Sequence, residues 1–340
     1  CVVGKVLIPN ILKRVETKKE RYPLIREFGV TNVVAMMHPI EKAEGAWKKG
    51  DDFMNYSAIG FAFAYKLFQE LQVPIGILNC SFSQTSIQSW VPREGFRDGK
   101  DEYTKAIYRK ILETDPNTPE YKAAWDGFYK SLEDQLAVNK KSRSPKSVSA
   151  PTPGNTLTNR DSSWLYNGKL SPVVPYAIKG AIWNQGYANT NEGLVYYNNL
   201  HSLIRGWRLV FDRPELPVYF HQFYTPGGGS EKPAIGGVAE MRLGAKMARD
   251  IPHAGMASQI DIGGTIHYQH KAVPGQRLAL HALKNQYGQK KLVVDGPMFK
   301  NYTVEGNQII VEFDHADDGL VVAETRSNAQ GKNEAGETVE

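Results

Sequence analysis

The chain has 340 residues, of which 41% are hydrophobic and 23% charged, as expected for a globular protein. Its 41 basic and 36 acidic residues leave a net charge of +5 that is spread along the chain, which excludes the basic footprint of a nucleic-acid-binding protein. No apolar run reaches the length of a membrane span, and no signal peptide is visible. The two cysteines, Cys1 and Cys80, say little about the redox compartment.

Helical and strand patterns alternate along the first 288 residues. Residues 57–71 repeat apolar side chains at helical spacing and predict a helix, and VPIGILN at 73–79 predicts a buried strand. An excursion at 91–165 contains a predicted helix that starts near Pro119 and then an exposed Ser/Pro-rich linker. After it come strands and helices in turn: AIKGAIW, GLVYYNNLHSLIRGWRLVF, LPVYFHQF, GGVAEMRLGAKMARDI, GMASQIDIG and VPGQRLALHALKNQYG. This alternation predicts an α/β fold, with a parallel sheet between two layers of helices.

The pattern changes after Gly288. Short stretches of alternating apolar and polar residues follow, with a Glu-Gly-Asn turn at 305–307. This pattern predicts a small antiparallel β appendage. The last residues, RSNAQGKNEAGETVE, have no period and predict a loop. We therefore predict one domain at 1–288, with an insertion at about 91–165, and a partial β-rich segment at 289–340.

Three polar segments fall where predicted strands end, at 79–90, 183–193 and 261–271. In doubly wound sheets, ligands bind beyond the carboxyl ends of the strands. All three segments are rich in Gly, His and small polar side chains. Their convergence predicts a polar site at this edge of the sheet.

His267 is the candidate general base, because an imidazole titrates near neutrality and this one lies between a strand and a helix. Asp261, in the same loop, is the candidate to orient it, although a strand-end turn residue is the plainer interpretation. His267 and His270 also form an H-x-x-H pair that could hold a metal with a carboxylate. No H-E-x-x-H motif or Cys/His cluster supports that alternative.

The amides of Gln185 and Asn189 are candidate oxyanion or substrate-binding groups. Bracing of the loop by these amides is an equally good interpretation from the sequence. The 79–90 segment also offers hydroxyls, none of them in a G-x-S-x-G elbow. They belong to Ser81, Ser83, Thr85 and Ser86.

Several of these segments, in order, resemble the sialate O-acetylesterase family. VPIGILNCSFSQTSIQSW is similar to its VPVGLINSSWGGTPIEAW, LYNGKLSPVVPYAIKGAIWNQGYANT to its LYNGMIAPLxPYAIRGAIWYQGESN, and IDIGGTIHYQHKAVPGQRLALHAL to its IDIGDxxDIHPxNKxxVGxRLALxAL. The resemblance extends from about residue 21 to residue 322. It implies a flavodoxin-like, three-layer SGNH hydrolase fold and removal of acetyl groups from sugars. It also implies a Ser nucleophile, a His base and no metal or other cofactor.

The family's His maps onto His267, and the Gln of its QGE motif maps onto Gln185. The Glu of QGE is Tyr187 in this chain, and the Asp just before the Ile-His pair is Thr265. Asp261 matches an Asp of the family but lies further from the histidine.

The family's nucleophile and double Gly are both altered. With Gly4 as the Gly of the family's GQSNM motif, the nucleophile position holds Val6, which cannot attack an ester. Three explanations are open: another register, a fragment or an error at the start of the sequence, or a catalytically dead relative. Ser83 and Gln84 replace the double Gly and are candidate substrate-binding residues, where backbone approach is less close.

The leading functional hypothesis is a carbohydrate O-acetylesterase whose partner is an acetylated sugar, with neither nucleic acid nor membrane involved. The alternative is an inactive relative that binds carbohydrate through exposed aromatic residues such as Trp90, Trp183 or Tyr187, although core packing is the commoner role of Trp. The family resemblance implies a periplasmic or secreted protein. The oligomeric state is not predicted.

Overall fold

A computed structural model describes residues 24–31, 36–42, 44–48, 55–141, 144, 146–151, 160–174, 176–223, 236–262, 271–317, 319–320, 331–332 and 338–339. The strands are β1 (Ile25–Val30), β2 (Gly45–Lys48), β3 (Ile75–Asn79), β4 (Ala181–Trp183), β5 (Val218–Gln222), β6 (Ala254–Ser258), β7 (Met298–Glu305), β8 (Gln308–Asp314), β9 (Gly331–Lys332) and β10 (Thr338–Val339). The helices are α1 (Ala58–Leu71), α2 (Arg93–Arg97), α3 (Glu102–Thr114), α4 (Pro119–Asn139), α5 (Val195–Val210), α6 (Val238–Ala248) and α7 (Ala272–Asn285).

The strands of the α/β layer form two three-stranded sheets, in the orders β2-β1-β3 and β4-β5-β6. β1 is parallel to β3, and β4, β5 and β6 are parallel to one another. The predicted α/β fold with parallel strands is therefore confirmed. The antiparallel edge strand β2 was not predicted, because GAWK is too short to show a period. Parallel pairing places the carboxyl ends of β4, β5 and β6 along one edge, near which the predicted polar segments at 183–193 and 261–271 begin. The predicted polar segment at 79–90 follows β3 of the other sheet.

The later elements follow the predictions with local differences. The strand AIKGAIW is ordered as a strand only over Ala181–Trp183, and the strand before Asp261 already ends at Ser258. β7 and β8 are antiparallel and join at the predicted turn, where Gly306 has a φ of 62°. The final residues, predicted as loop, contain the two-residue pair of β9 and β10. The domain division at residue 288 stays a prediction.

Three tryptophans form the centre of the largest hydrophobic cluster. Trp183 lies between Trp90 and Trp207, with ring centroids 5.9 and 5.7 Å away in edge-to-face geometry. Trp90 and Trp183 are only 4% and 8% exposed, so the idea that they stack on sugars is wrong and the core interpretation is right. Their packing holds the 79–90 segment against β4 and α5.

Helices α1 and α7 meet at a glycine. A Cβ atom on Gly275 would lie 2.6 Å from the carbonyl oxygen of Ile59 and 2.9 Å from the backbone nitrogen of Phe63. Real Cβ atoms do not approach backbone atoms so closely, so only glycine allows this separation of the helices. The close contact positions the start of α7, which immediately follows the segment that contains His267.

We predict that Gly275→Ala lowers the free energy of unfolding by about 2 kcal/mol or more, because the helices must separate. Gly127→Ala is the control, since Gly127 lies in α4 with nothing near its missing Cβ. That change should raise stability by about 0.5–1 kcal/mol through helix propensity. Urea unfolding of both variants measures this, and a Gly275→Ala protein as stable as the parent would contradict the packing argument.

Candidate active site

Asn189 joins two of the three polar segments. Its side chain is fully buried, and its Oδ1 accepts the backbone N–H of Ile87 (3.0 Å) and the Nε2–H of Gln185 (2.6 Å). Its Nδ2 donates to Oε1 of Gln88 at 2.9 Å. Because a buried amide without partners is costly, these bonds hold the segment after β3 against the segment after β4.

The network continues into the inserted helices. Nε2 of Gln88 donates to the hydroxyl of Tyr103 and to Oε1 of Glu192, both at 2.8 Å. Nδ2 of Asn199 donates to Oε2 of Glu192 at 2.8 Å. Burial, helped by the charge of Glu192, raises the pKa of Tyr103, which keeps the phenol protonated at neutral pH. Helix α3 of the insertion is thereby tied to the candidate site.

Gln185 uses both of its amide protons inside the protein. Nε2 donates to the carbonyl of Thr85 (3.0 Å) and to Asn189, while the Tyr196 hydroxyl donates to the backbone carbonyl of Gln185 (3.0 Å). This arrangement matches the bracing interpretation of both amides. Their role toward an oxyanion stays a prediction that requires one of these bonds to open.

The polar residues after β3 differ in exposure. Ser81 is exposed and its hydroxyl donates to Oδ1 of Asn79 at 2.6 Å, whereas Thr85 is buried. Ser83 and Gln84 are both exposed. Gln84 has a φ of 60°, in the left-handed region, at the position where the family resemblance expects glycine. A residue with a side chain costs about 1–2 kcal/mol in this conformation.

Sequence reasoning missed His221, which is embedded in the apolar run LPVYFHQF. Its Nε2 lies 3.1 Å from the carbonyl oxygen of Pro274 in α7, and its Nδ1 lies 3.0 Å from Oδ1 of Asn184, just after β4. Gln259, just after β6, donates to the same Oδ1 at 2.9 Å. The ends of β4 and β6 are thus linked through Asn184, and the His221 ring of β5 lies against the same side chain. Burial lowers the pKa of His221 to about 3, so its ring is neutral at pH 7.

Asp261 is held by Arg277. The Asp261 carboxylate accepts bonds from both guanidinium Nη atoms, at 2.7 and 2.5 Å, and Arg277 also donates to the carbonyl of Ser258 at 2.7 Å. These hydrogen bonds lower the pKa of Asp261. The clamp joins β6 to α7 on either side of residues 263–270. The predicted role of Asp261 in orienting His267 stays a prediction.

The other predicted residues lie outside the described residues: Gly4, Val6, Thr265, His267 and His270. Lys271 begins the described chain after this segment. Its side chain is buried, which lowers its pKa to about 8. Among the residues that the structure describes, no three His, Cys, Asp or Glu side chains group as metal ligands, and no helix has the length and apolarity needed to cross a membrane.

We predict that His221 makes the fold sensitive to acid. Its pKa is about 3 in the folded chain and 6.5 in the unfolded chain, so the unfolded chain binds more protons between these values. Stability is therefore lost as the pH falls through this window, by roughly 3 kcal/mol at about pH 4. His221→Gln cannot ionise and should show a flatter dependence of the unfolding free energy on pH. Equal slopes for variant and parent in urea titrations would refute the assignment.

Comparisons with known proteins agree with this architecture, although no family model matches the chain. Sialate O-acetylesterase from Rattus norvegicus is 26% identical over 313 residues, which cover 82% of this chain and 53% of that protein. Sialate O-acetylesterase from Homo sapiens is 24% identical over 268 residues, 73% of this chain and 43% of that protein. The chain thus spans about half the length of the curated relatives it matches.

A solved carbohydrate acetylesterase from Xanthomonas citri has the same fold, with a TM-score of 0.63 at 24% identity over 86% of this chain and 55% of that one. The predicted fold class is confirmed by this likeness. The chain is therefore similar in sequence to the sialate O-acetylesterases, as the ordered motifs predict.

Proposed function

We propose that the chain is a carbohydrate O-acetylesterase that removes acetyl groups from sugar hydroxyls, with His267 as the base. The observation that carries this proposal is the polar network along one edge of the sheet. It connects the segments after β3 and β4 through Asn189, and those after β4 and β6 through Asn184. The sequence similarity to the sialate O-acetylesterases supports the same chemistry.

The proposed reaction is acyl transfer in two steps. His267 takes the proton of a hydroxyl nucleophile, whose oxygen bonds to the acetyl carbonyl carbon, and the sugar oxygen leaves with that proton. Water then attacks the acyl-enzyme, with the same imidazole as base, and acetate is released. Val6 cannot be the nucleophile. In the described segment after β3, Ser81 and Ser83 are exposed and carry hydroxyls, so we propose these two as candidates.

We predict that His267→Ala lowers kcat/KM for acetate release from acetylated monosaccharides by about a hundredfold or more, because general-base catalysis is lost. His270→Ala is the matched control, since it lies in the same segment and should leave the rate nearly unchanged. An acetate-release rate that is unchanged by His267→Ala would contradict the role of His267 as the base. A loss in both variants, reversed by added Zn²⁺, would favour the metal alternative instead.

A fluorophosphonate reagent tests the covalent step, because it labels an activated serine. Peptide mapping of the labelled protein should find the reagent on Ser81 or Ser83. Hydrolysis without any label would rule out the acyl-enzyme. Unfolding curves of each variant show whether a loss of activity reflects a loss of fold.

The second candidate function is carbohydrate binding without hydrolysis. It is favoured by Val6 at the nucleophile position and by Tyr187, where the related family has Glu. Tyr187 is 55% exposed and makes an edge-to-face contact with Phe223, with centroids 6.2 Å apart. An exposed tyrosine ring supported by the half-buried ring of Phe223 suits the apolar face of a sugar ring.

For this candidate we predict that acetylated oligosaccharides bind with measurable heat and release no acetate. Tyr187→Ala should weaken binding by about tenfold, because it removes the stacking surface. Tyr176→Ala is the control, since Tyr176 is equally exposed but lies before β4. Calorimetry with both variants measures the effect, and the absence of heat with every acetylated sugar argues against binding.

We also propose a periplasmic or secreted location, which rests on the family resemblance. Fractionation of the cells that make the protein tests it, and recovery with cytosolic markers would contradict it.

A further inference from the structure

The β7–β8 hairpin separates apolar from polar side chains by face. Directly paired residues of an antiparallel ladder point to the same face, and the face alternates along each strand. Tyr302 pairs with Val311, and Val304 with Ile309. On the opposite face, Glu305 pairs with Gln308. The hairpin is therefore amphipathic along its length.

A register shift keeps the apolar face free of charge. The pairing moves by one residue between Phe299 and Asn301, so that Phe299 faces Phe313. Without this β-bulge, Lys300 would stand opposite Phe313 on the apolar face. The extra residue thus extends an uninterrupted apolar surface to the end of the hairpin.

We call this surface the apolar hairpin face. Its members are all large, uncharged side chains, and each is between 37% and 66% exposed: Phe299, Tyr302, Val304, Ile309, Val311 and Phe313. An apolar patch of this size on a soluble domain marks an interaction site, and a two-stranded hairpin alone is marginally stable in water. The face therefore requires a covering layer.

We propose that the apolar hairpin face is the interface between two copies of this chain. Taking about 200 Å² for a fully exposed large side chain, the six residues present roughly 600 Å² per copy. Two such faces bury roughly 1,200 Å² in total, which reaches the lower limit of specific protein interfaces. Two hairpins stacked face to face form a two-layer β-sandwich.

Charge and composition favour a second copy as the occupant. The face carries no ionisable group other than the phenol of Tyr302, so a symmetric contact brings no like charges together. The charges of Glu312 and Asp314 lie off this face, and the Nζ of Lys300 lies 4.0 Å from Oδ1 of Asp314.

Adjacent isoleucines on opposite faces provide a matched test. Ile309 is on the apolar hairpin face, whereas Ile310 pairs with Thr303 on the other, and both are exposed. Sedimentation equilibrium of the full chain over a concentration series should show a monomer–dimer equilibrium. Ile309→Lys should raise the dimer dissociation constant by about a hundredfold or more, because it buries two charges in the contact. Ile310→Lys should leave the constant nearly unchanged.

The outcomes separate the alternatives. A parent chain that is monomeric at every concentration overturns the proposal and indicates that other polypeptide covers the face. A dimer that both variants weaken equally, or that neither weakens, overturns it as well, because the contact then lies elsewhere. Far-UV circular dichroism and urea unfolding confirm that each lysine variant is folded. The test is independent of the acetate-release assay.

Discussion

A buried amide has to find hydrogen-bond partners, and Asn189 is completely buried between two loops of the candidate site. Its partners are the backbone of Ile87 and the side chains of Gln185 and Gln88. Each partner left unpaired would cost about 1–3 kcal/mol, so the two loops are coupled in position. The exposed serines after β3 owe their placement to this constraint.

The positions of the ends of β5 and β6 depend on the close packing of α1 and α7 as well as on buried polar residues. Gly275 lets α7 approach α1, and this brings the Pro274 carbonyl within reach of His221. Arg277, two residues after Gly275, clamps Asp261 and the end of β6. The ends of the segment that contains His267 are thus set by backbone approach and by one bidentate ion pair.

The inserted helices and the C-terminal hairpin differ in how they are anchored. Helix α3 reaches the candidate site through the buried side of Tyr103, and α4 has no buried residue. The hairpin of β7 and β8, in contrast, leaves the apolar hairpin face exposed. Polar bonds and the apolar packing of Phe96 and Ile111 therefore integrate the insertion, while the apolar hairpin face stays exposed.

Periodicity and motif order were enough to predict the α/β class, the bounds of α1, α4, α5, α6 and α7 within a few residues, the antiparallel hairpin after residue 288, and the likeness to sialate O-acetylesterases. These features are local, because apolar spacing, the proline at the start of α4 and the turn at Gly306 act within a few residues. The short edge strand β2 could not be predicted, since its four residues show no period. The strand is stabilised by contacts outside itself, through pairing with β1 and the hydrogen bond from the Tyr56 hydroxyl to the Lys48 carbonyl.

Contacts between distant segments were decided by the tertiary structure. The sequence by itself identified Asp261, Gln185 and Asn189 as polar residues at the ends of strands. Only the fold assigned Asp261 to Arg277 and the two amides to each other, because hydrogen-bond partners depend on which loops meet across the edge of the sheet. The same reason explains why His221 was missed. The sequence shows only a histidine within an apolar strand, and its acceptor, the Pro274 carbonyl in the first turn of α7, comes from a distant segment.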